Sequence, residues 1–170
     1  MQIAQSQAGD VEAILELYEH AVGLQRLKGA TLWPAFDRGF VESEVSEGVQ
    51  WKIVVDGGPR CVWAVADSDP LIWGERDADP AVYIHRIATD PDYRGRGFVM
   101  NIVDWAKGFA AARGRRFVRM DTVGDNAGLI RHYTKCGFAF LGLFKLANTA
   151  GLPAHYHDAT VSLFEIDLGR

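Results

Sequence analysis

Apolar residues recur every three or four positions in several stretches of the chain, which is the spacing that lines one face of a helix. The first stretch follows Asp10, a residue suited to cap a helix, and ends between Gly23 and Gly29. The second opens at Pro34, which favours the first turn of a helix, and stops at Gly48. Two amphipathic helices are therefore predicted in the first third of the chain.

Two more helices are predicted by the same spacing further on. One has its apolar face over 102–110 and ends near Gly114, and a shorter one covers 127–135 and stops before Gly137. Runs of β-branched and aromatic residues predict the strands. These runs are 2–5, 51–55, 61–66, 81–89, 117–123, 138–143 and 159–166.

The glycine-rich segment 56–59 predicts a hairpin turn, and 70–80 predicts a loop that carries Glu75, Asp77 and Asp79. Such carboxylates attract an ammonium group, although acidic loops are usually only solvated. Together the elements predict a single α/β domain over residues 1–170. Its sheet is expected to be mostly antiparallel, with about six or seven strands and about four flanking helices.

Charge and composition narrow the classes of function. The chain has a formal net charge of −4 and no block of Lys and Arg, which disfavours binding to nucleic acid. The first residues lack the basic start and apolar run of a signal peptide, and no later stretch approaches the ~20 apolar residues of a membrane span, so neither is expected. Cys61 and Cys136 lie far apart and form no CxxC motif, which favours reduced thiols. A cytoplasmic protein without membrane or nucleic-acid partners is expected, and a homodimer is left open.

The segment Arg94-Gly95-Arg96-Gly97 lies between the strand 81–89 and the next helix. Backbone N–H groups at such a turn, with the positive end of the helix dipole, suit a phosphate. An ordinary tight turn explains the glycines equally well. A dinucleotide fingerprint needs Gly or Ala three positions after Gly97, where Met100 stands, and the Gly-Lys-Ser/Thr ending of a P-loop is missing.

Three segments extend this pattern: YIHRIATDPDYRGRGF, FVRMDTVGDN and HYTKCGF. In this order they resemble the GNAT family of N-acetyltransferases over roughly residues 82–142. The family signature Gln/Arg-x-x-Gly-x-Gly/Ala is met at Arg94 and Gly97 and departs at Val99. Asn126, Tyr133 and the pair Gly137-Phe138 follow the family spacing.

The resemblance implies that acetyl-CoA is the cosubstrate and that strands 81–89 and 117–123 are splayed to admit it. It implies that the pantetheine arm lies along Ile87, Ala88 and Thr89. The remaining cofactor-binding residues that it implies are Arg94, Gly95, Arg96, Gly97, Phe98, Val99, Asn126 and Lys135. For Asn126 a bracing role in its loop, and for Lys135 a solvated surface role, are the alternatives.

The resemblance also implies the catalytic groups. Tyr133 would be the general acid toward the coenzyme A sulfur, and the Ile87 N–H would bind the oxyanion. Alternation along a strand places Tyr83, His85 and Ile87 on one face, where His85 could accept the amine proton through water. Packing roles for Tyr133 and His85 are the alternatives.

Trp33 and Tyr83 are candidates for contact with the acceptor, a small-molecule or peptide amine. No cysteine stands at a convincing nucleophile position, so direct transfer is favoured over an acyl-enzyme. No metal is expected, because the His155 and His157 pair lacks an acidic or cysteine partner nearby in sequence. A transferase for another acyl group or for a hydroxyl acceptor, and a catalytically silent acyl-CoA sensor, remain alternatives.

Overall fold

The computed structural model describes residues 1–146 and 149–169. Within these ranges it has seven strands: β1 (Gln2–Gln5), β2 (Gln50–Val55), β3 (Gly58–Ala66), β4 (Ala81–Thr89), β5 (Phe117–Val123), β6 (Ala139–Lys145) and β7 (Thr160–Asp167). The helices are α1 (Val11–Leu27), α2 (Arg38–Ser46), α3 (Pro70–Trp73), α4 (Phe98–Ala112) and α5 (Ala127–Lys135). None of the helices in the described ranges combines the length and the apolar character needed to cross a bilayer.

The predicted fold class is confirmed. The strands form a mixed sheet in the order β1-β2-β3-β4-β5-β7-β6. Neighbours β1 and β2, β2 and β3, β5 and β7, and β6 and β7 pair antiparallel. β4 and β5 are parallel, in register from Ala81 opposite Phe117 to Tyr83 opposite Arg119. This parallel ladder stops well before either strand ends, since β4 continues to Thr89 and β5 to Val123.

The chain divides into two compact units, and the first comprises residues 1–65 and 85–98. Its core lies under α1, whose residues at helical spacing, Ile14 and Tyr18 among them, are buried. Val41 of α2, Val62 of β3 and Ala88 of β4 complete this core. The periodicity that predicted α1 therefore marks the helix face that is buried.

The second unit comprises residues 66–84 and 99–170. One of its hydrophobic clusters joins Trp73 of α3 and Tyr83 of β4 to Val161 and Leu163 of β7. Alternate residues of β7 contribute to this cluster, as expected for a strand that buries one face there. The prediction of a single domain over residues 1–170 stays a prediction.

The structure corrects two element boundaries. α2 begins at Arg38 and not at Pro34, because the Asp37 carboxylate caps the helix by accepting from the Phe40 N–H at 3.2 Å. The segment 70–80 is not an open loop: Pro70 starts the short helix α3, and a 3₁₀ turn follows over Gly74–Ala78. The other predicted elements are found within a few residues of their expected ends.

Candidate functional site

The glycine-rich turn adopts a conformation that requires glycine. Gly95 and Gly97 have φ values of 77° and 75°, in the left-handed region that side chains other than glycine rarely adopt. Apart from the adjacent residues in sequence, no atom of the described residues lies within 4 Å of a Cβ built at either position, so conformation and not crowding explains the two glycines. α4 begins directly after them at Phe98 and runs for 15 residues. The first N–H groups of this helix can therefore bind an anion.

Arginine side chains surround the ring of Tyr93, just before this turn. The guanidinium carbon of Arg96 lies 4.5 Å from the ring centroid and that of Arg60, from β3, lies 4.7 Å away. Arg60 also donates to the Asp90 carboxylate at 3.0 Å. Arg60 has no local signal in the sequence, because 30 residues separate it from Asp90. The exposed Arg94 and Arg96 place positive charge beside the turn, whereas the charge of Arg60 is paired with Asp90.

The end of β4 is partly buried in the first unit. Ala88 is only 1% exposed and packs in the core, whereas Ile87 and Thr89 are half-buried. The Thr89 hydroxyl lies 3.3 Å from the Cys61 sulfur. Burial raises the pKa of Cys61 to about 12, which keeps this thiol protonated and disfavours it as a nucleophile.

His85 occupies a different environment from the one that the sequence analysis assumed. Burial, and to a smaller extent the positive charge of Arg86, lowers the pKa of His85 to about 4. The imidazole is therefore neutral at neutral pH. A neutral histidine whose conjugate acid has so low a pKa is a weak proton acceptor, which counts against the role of general base.

Arg86, the next residue, has a φ of 52° in the middle of β4. A left-handed residue interrupts the alternation of a strand, so the shared face predicted for Tyr83, His85 and Ile87 does not extend across it. The Arg86 guanidinium forms an ion pair with Glu44 of α2 and donates through Nε to the Tyr18 hydroxyl at 3.4 Å. Neither contact has a local sequence signal, because the partners lie 42 and 68 residues away.

Trp33 and Tyr83, the two predicted acceptor contacts, are placed differently. Trp33 is half-buried, and its ring meets that of Tyr18 edge-on at 6.0 Å. Tyr83 is fully buried, with its ring 5.7 Å from that of Trp73 and its hydroxyl accepting from Arg119 at 3.4 Å. Tyr83 therefore has no surface free for a substrate in this structure, which favours a packing role.

Tyr133 lies on α5 in the second unit and is 9% exposed. Its ring packs 5.3 Å from that of Phe164 and 6.2 Å, edge-on, from that of Phe138. Asn126 caps the same helix: its carbonyl oxygen accepts from the N–H groups of Gly128 and Leu129, at 3.0 and 3.1 Å. These contacts support the bracing role of Asn126 and fix the helix that carries Tyr133.

Two further placements complete the predicted site. Lys135 is exposed in the last turn of α5, so its side chain can be solvated there. Val99 is half-buried in the first turn of α4. Both positions are ordinary ones on a helix surface, and both are open to a cofactor contact.

Two half-buried carboxyl groups in the second unit, Asp69 and Asp121, have no local signal in the sequence. Carboxylate oxygens of Asp69 and Asp121 lie within 4.8 Å of each other. Burial, with the charges of Asp121 and Asp77, raises the pKa of Asp69 to about 7. Burial raises the pKa of Asp121 to about 6, even though the Tyr156 hydroxyl donates to it at 2.9 Å. Both carboxyls thus titrate closer to neutral pH than His85 does.

Comparison with known proteins establishes the family. A sequence model of the acetyltransferase (GNAT) family matches residues 33–138, which is more than half of the chain. The chain therefore belongs to the GNAT family of acetyltransferases. The matched range includes the glycine-rich turn, Asn126 and Tyr133.

Individual relatives agree with this assignment. An uncharacterized N-acetyltransferase of Methanocaldococcus jannaschii is 42% identical over 55 residues, which cover 32% of this chain and 24% of the relative. The chain thus matches about a quarter of the length of that protein.

Among solved structures, GNAT family acetyltransferases from Listeria monocytogenes and Streptococcus agalactiae have TM-scores of 0.77 and 0.76, with 19% and 20% identity. Each alignment covers 98% of this chain and 94% of the other. An acetyltransferase from Salmonella typhimurium, solved with its cofactor acetyl-CoA, has a TM-score of 0.69 and 16% identity, over 98% of this chain and 93% of that one. At such identities the likeness is one of fold.

Proposed function

We propose that this protein is an acetyl-CoA-dependent N-acetyltransferase that transfers the acetyl group directly to a primary amine of a small molecule or peptide. The observation that supports this most is the turn at Gly95 and Gly97, which leads into a 15-residue helix in a chain of the GNAT family. The left-handed glycines, the helix N-terminus and the adjacent arginines fit a pyrophosphate. A solved relative that contains acetyl-CoA is consistent with the same cosubstrate here.

In the proposed cofactor site, the N–H groups from Arg96 to Val99 bind the pyrophosphate, and Arg94 and Arg96 supply positive charge. The backbone of Ile87, Ala88 and Thr89 binds the pantetheine arm. Asn126 orients α5, and Lys135 meets a phosphate from the end of that helix. Acetyl-CoA supplies the thioester that is cleaved. None of these contacts requires a metal ion.

The chemistry assigned to the chain's own residues is the movement of protons and the binding of charge. As the amine nitrogen bonds to the acetyl carbon and the C–S bond breaks, the Ile87 N–H donates to the carbonyl oxygen. Tyr133 donates its phenolic proton to the departing sulfur. A phenol with a pKa near ~10 and a thiol near ~8.5 differ little, so this step relies on the position of Tyr133.

The amine must lose a proton, and the sequence-based hypothesis gives that task to His85. A pKa of about 4 makes His85 a weak acceptor, so within this proposal it takes the amine proton through an ordered water only as the C–N bond forms, when the nitrogen becomes strongly acidic, and then releases it to solvent. Trp33 lines the acceptor side by the same hypothesis. Transfer of another acyl group, transfer to a hydroxyl, and cofactor binding without catalysis are the alternatives.

The proposed function is tested by the release of free thiol from acetyl-CoA in the presence of a library of amines. We expect Tyr133→Phe to keep its affinity for acetyl-CoA and to slow thiol release about 100-fold, the usual size of a general-acid contribution. Tyr93→Phe is the matched control: it keeps the ring that Arg96 packs on and removes only a hydroxyl that donates to Asp56 at 2.8 Å, away from the thioester, so its kcat should stay within about twofold.

Two outcomes count against the proposal. If Tyr133→Phe turns over several amines as fast as the parent protein, Tyr133 is not the general acid. If no amine causes thiol release while acetyl-CoA still binds, the acyl-CoA sensor replaces the transferase.

A further inference from the structure

Arg86 has a backbone conformation that its residue type disfavours. Its φ of 52° lies in the left-handed region, where the Cβ of an L-residue meets the carbonyl oxygen. A long side chain in that region within a strand persists only where its surroundings hold it.

The side chain of Arg86 is held from three directions within the first unit. Its Nη2 forms an ion pair with the Glu44 carboxylate of α2, and its Nε donates to the hydroxyl of Tyr18 on α1. The rings of Phe40 and Phe36 lie 5.2 and 5.8 Å from its guanidinium carbon. The charge of Arg86 is therefore balanced and its position is fixed by two helices.

A buried amide locks these partners to each other. The Gln50 side-chain N–H₂ group, at the start of β2, donates to the Tyr18 hydroxyl and to the second oxygen of Glu44, both at 2.8 Å. Gln50 is 0% exposed and Tyr18 is 1% exposed. Burial of this kind makes each hydrogen bond expensive to lose, because an abandoned partner would stay without water.

The three residues after Arg86 are those to which the proposed function assigns the backbone contacts with the cosubstrate. The direction of the Ile87 N–H depends on the torsion angles of residue 86, since the two share a peptide bond. A residue in the left-handed region reverses the direction in which the following backbone groups point, compared with a regular strand.

We propose that the network of Glu44, Tyr18 and Gln50 makes Arg86 a positioning residue: by tethering its guanidinium, the network holds residue 86 left-handed and so aims the backbone N–H and C=O groups of Ile87–Thr89. This inference rests on the proposed function for what those groups bind. It differs from a direct contact, because the charge of Arg86 is already neutralised by Glu44 and is therefore a poor ligand for a substrate anion.

The test compares Arg86→Ala with Arg86→Gly. Both variants lack the tether, but glycine adopts positive φ at little cost whereas alanine does not. We expect kcat/KM of the alanine variant to fall about tenfold, in line with the usual preference against left-handed non-glycine residues, and that of the glycine variant to recover to within about threefold of the parent protein. Rates are measured well below the unfolding temperature of each variant.

Glu44→Gln gives a second test that leaves Arg86 in place. It weakens the ion pair, so kcat/KM should fall in the parent background and should not fall further in the Arg86→Gly background, where no tether remains. If Arg86 touched the substrate, the glycine variant would be no better than the alanine variant, and that result overturns the proposal. Equal losses from Glu44→Gln in the two backgrounds also overturn it.

A readout without cosubstrate separates this inference from the proposed function. Backbone chemical shifts and amide exchange of Ile87–Thr89 should change in Arg86→Ala and Glu44→Gln and stay close to the parent values in Arg86→Gly. If these amides respond as expected while no amine is acetylated, the positioning role stands and the function fails. If Arg86→Ala does not fold, Glu44→Gln and Arg86→Gly still decide the question, and unchanged amides in Glu44→Gln contradict the tether.

Discussion

Each compact unit of this protein holds an arginine against a buried tyrosine and a carboxylate partner, but the two arrangements differ. Arg119 in β5 is 2% exposed and bonds to the carboxylates of Asp79 and Glu165, at 2.6 and 2.8 Å. Arg86 in β4 is 21% exposed and pairs with the single carboxylate of Glu44. The first guanidinium is thus enclosed by its partners, whereas the second stays close to the surface.

The backbone conformations of Arg119 and Arg86 also differ. Arg119 belongs to a strand in regular register, opposite Glu165 of β7, which is also its ion-pair partner. Arg86 has a left-handed φ that its side-chain contacts must sustain. The comparison indicates that Arg119 stabilises a fold that its strands already favour, whereas Arg86 maintains a local geometry that its strand does not.

The largest effect should come from removal of Arg119. Arg119→Met leaves Asp79 and Glu165 facing each other without their shared cation, and we expect the free energy of unfolding to fall by about 3 kcal/mol, measured by urea denaturation. Arg116→Met is the matched control, because Arg116 also pairs with a carboxylate, Asp167, but is 53% exposed. A loss for Arg119→Met no greater than for the control, or than for Arg86→Gly, would contradict the proposed difference between the two arginines.

Local signals explain why much of the fold could be predicted from the sequence. β4, β5 and α5 have the bounds that residue type and periodicity indicated, because their cause is the spacing of apolar residues. The start of α2 was misplaced because Pro34 was taken as its first turn, although Asp37, whose carboxylate caps the helix, is itself a capping signal in the sequence.

The arginine networks could not be predicted from the sequence. Arg119 meets its carboxylates across 40 and 46 residues of chain, and Arg86 meets Glu44 across 42. Only the fold brings such residues together, and neither leaves a trace in local spacing. The same holds for the pKa of His85, which depends on burial and on its neighbour's charge. The motif around Gly95 and Gly97 was recognisable because its residues are adjacent in sequence.

A smaller effect is expected when one of the second unit's carboxyls with a raised pKa, Asp121, is replaced. This carboxyl differs from those of Asp79 and Glu165, whose charge Arg119 neutralises. The pKa of Asp121 in the folded protein, about 6, lies above the ordinary value near ~3.9. The folded state therefore loses stability relative to the unfolded state as pH rises from about 4 to 6. Asp121→Asn cannot ionise and still accepts from Tyr156. We expect it to be more stable than the parent protein by about 1–2 kcal/mol at pH 8 and to lose that advantage near pH 4.

The stability of Asp121→Asn and of the parent protein is measured by urea denaturation from about pH 4 to pH 8. Asp92→Asn is the control, because Asp92 is exposed. A stability difference for Asp121→Asn that does not change with pH would mean that the carboxyl is not held in its protonated form by burial. Glu165→Gln should instead be less stable than the parent protein, because that carboxylate is the partner of Arg119.

The smallest expected effect is a change in the pKa of His85, which should respond to the removal of Arg86 and not to the removal of Arg119. NMR titration of its ring should give a pKa of about 4 in the parent protein. Arg86→Met should raise this value, since it removes the charge that disfavours the imidazolium, but only modestly, because burial is the larger cause and remains. Arg119→Met should leave the pKa of His85 unchanged. An equal response to both variants would contradict the assignment to Arg86, and a parent value near 6.5 would contradict burial as the cause and return His85 to the role of general base.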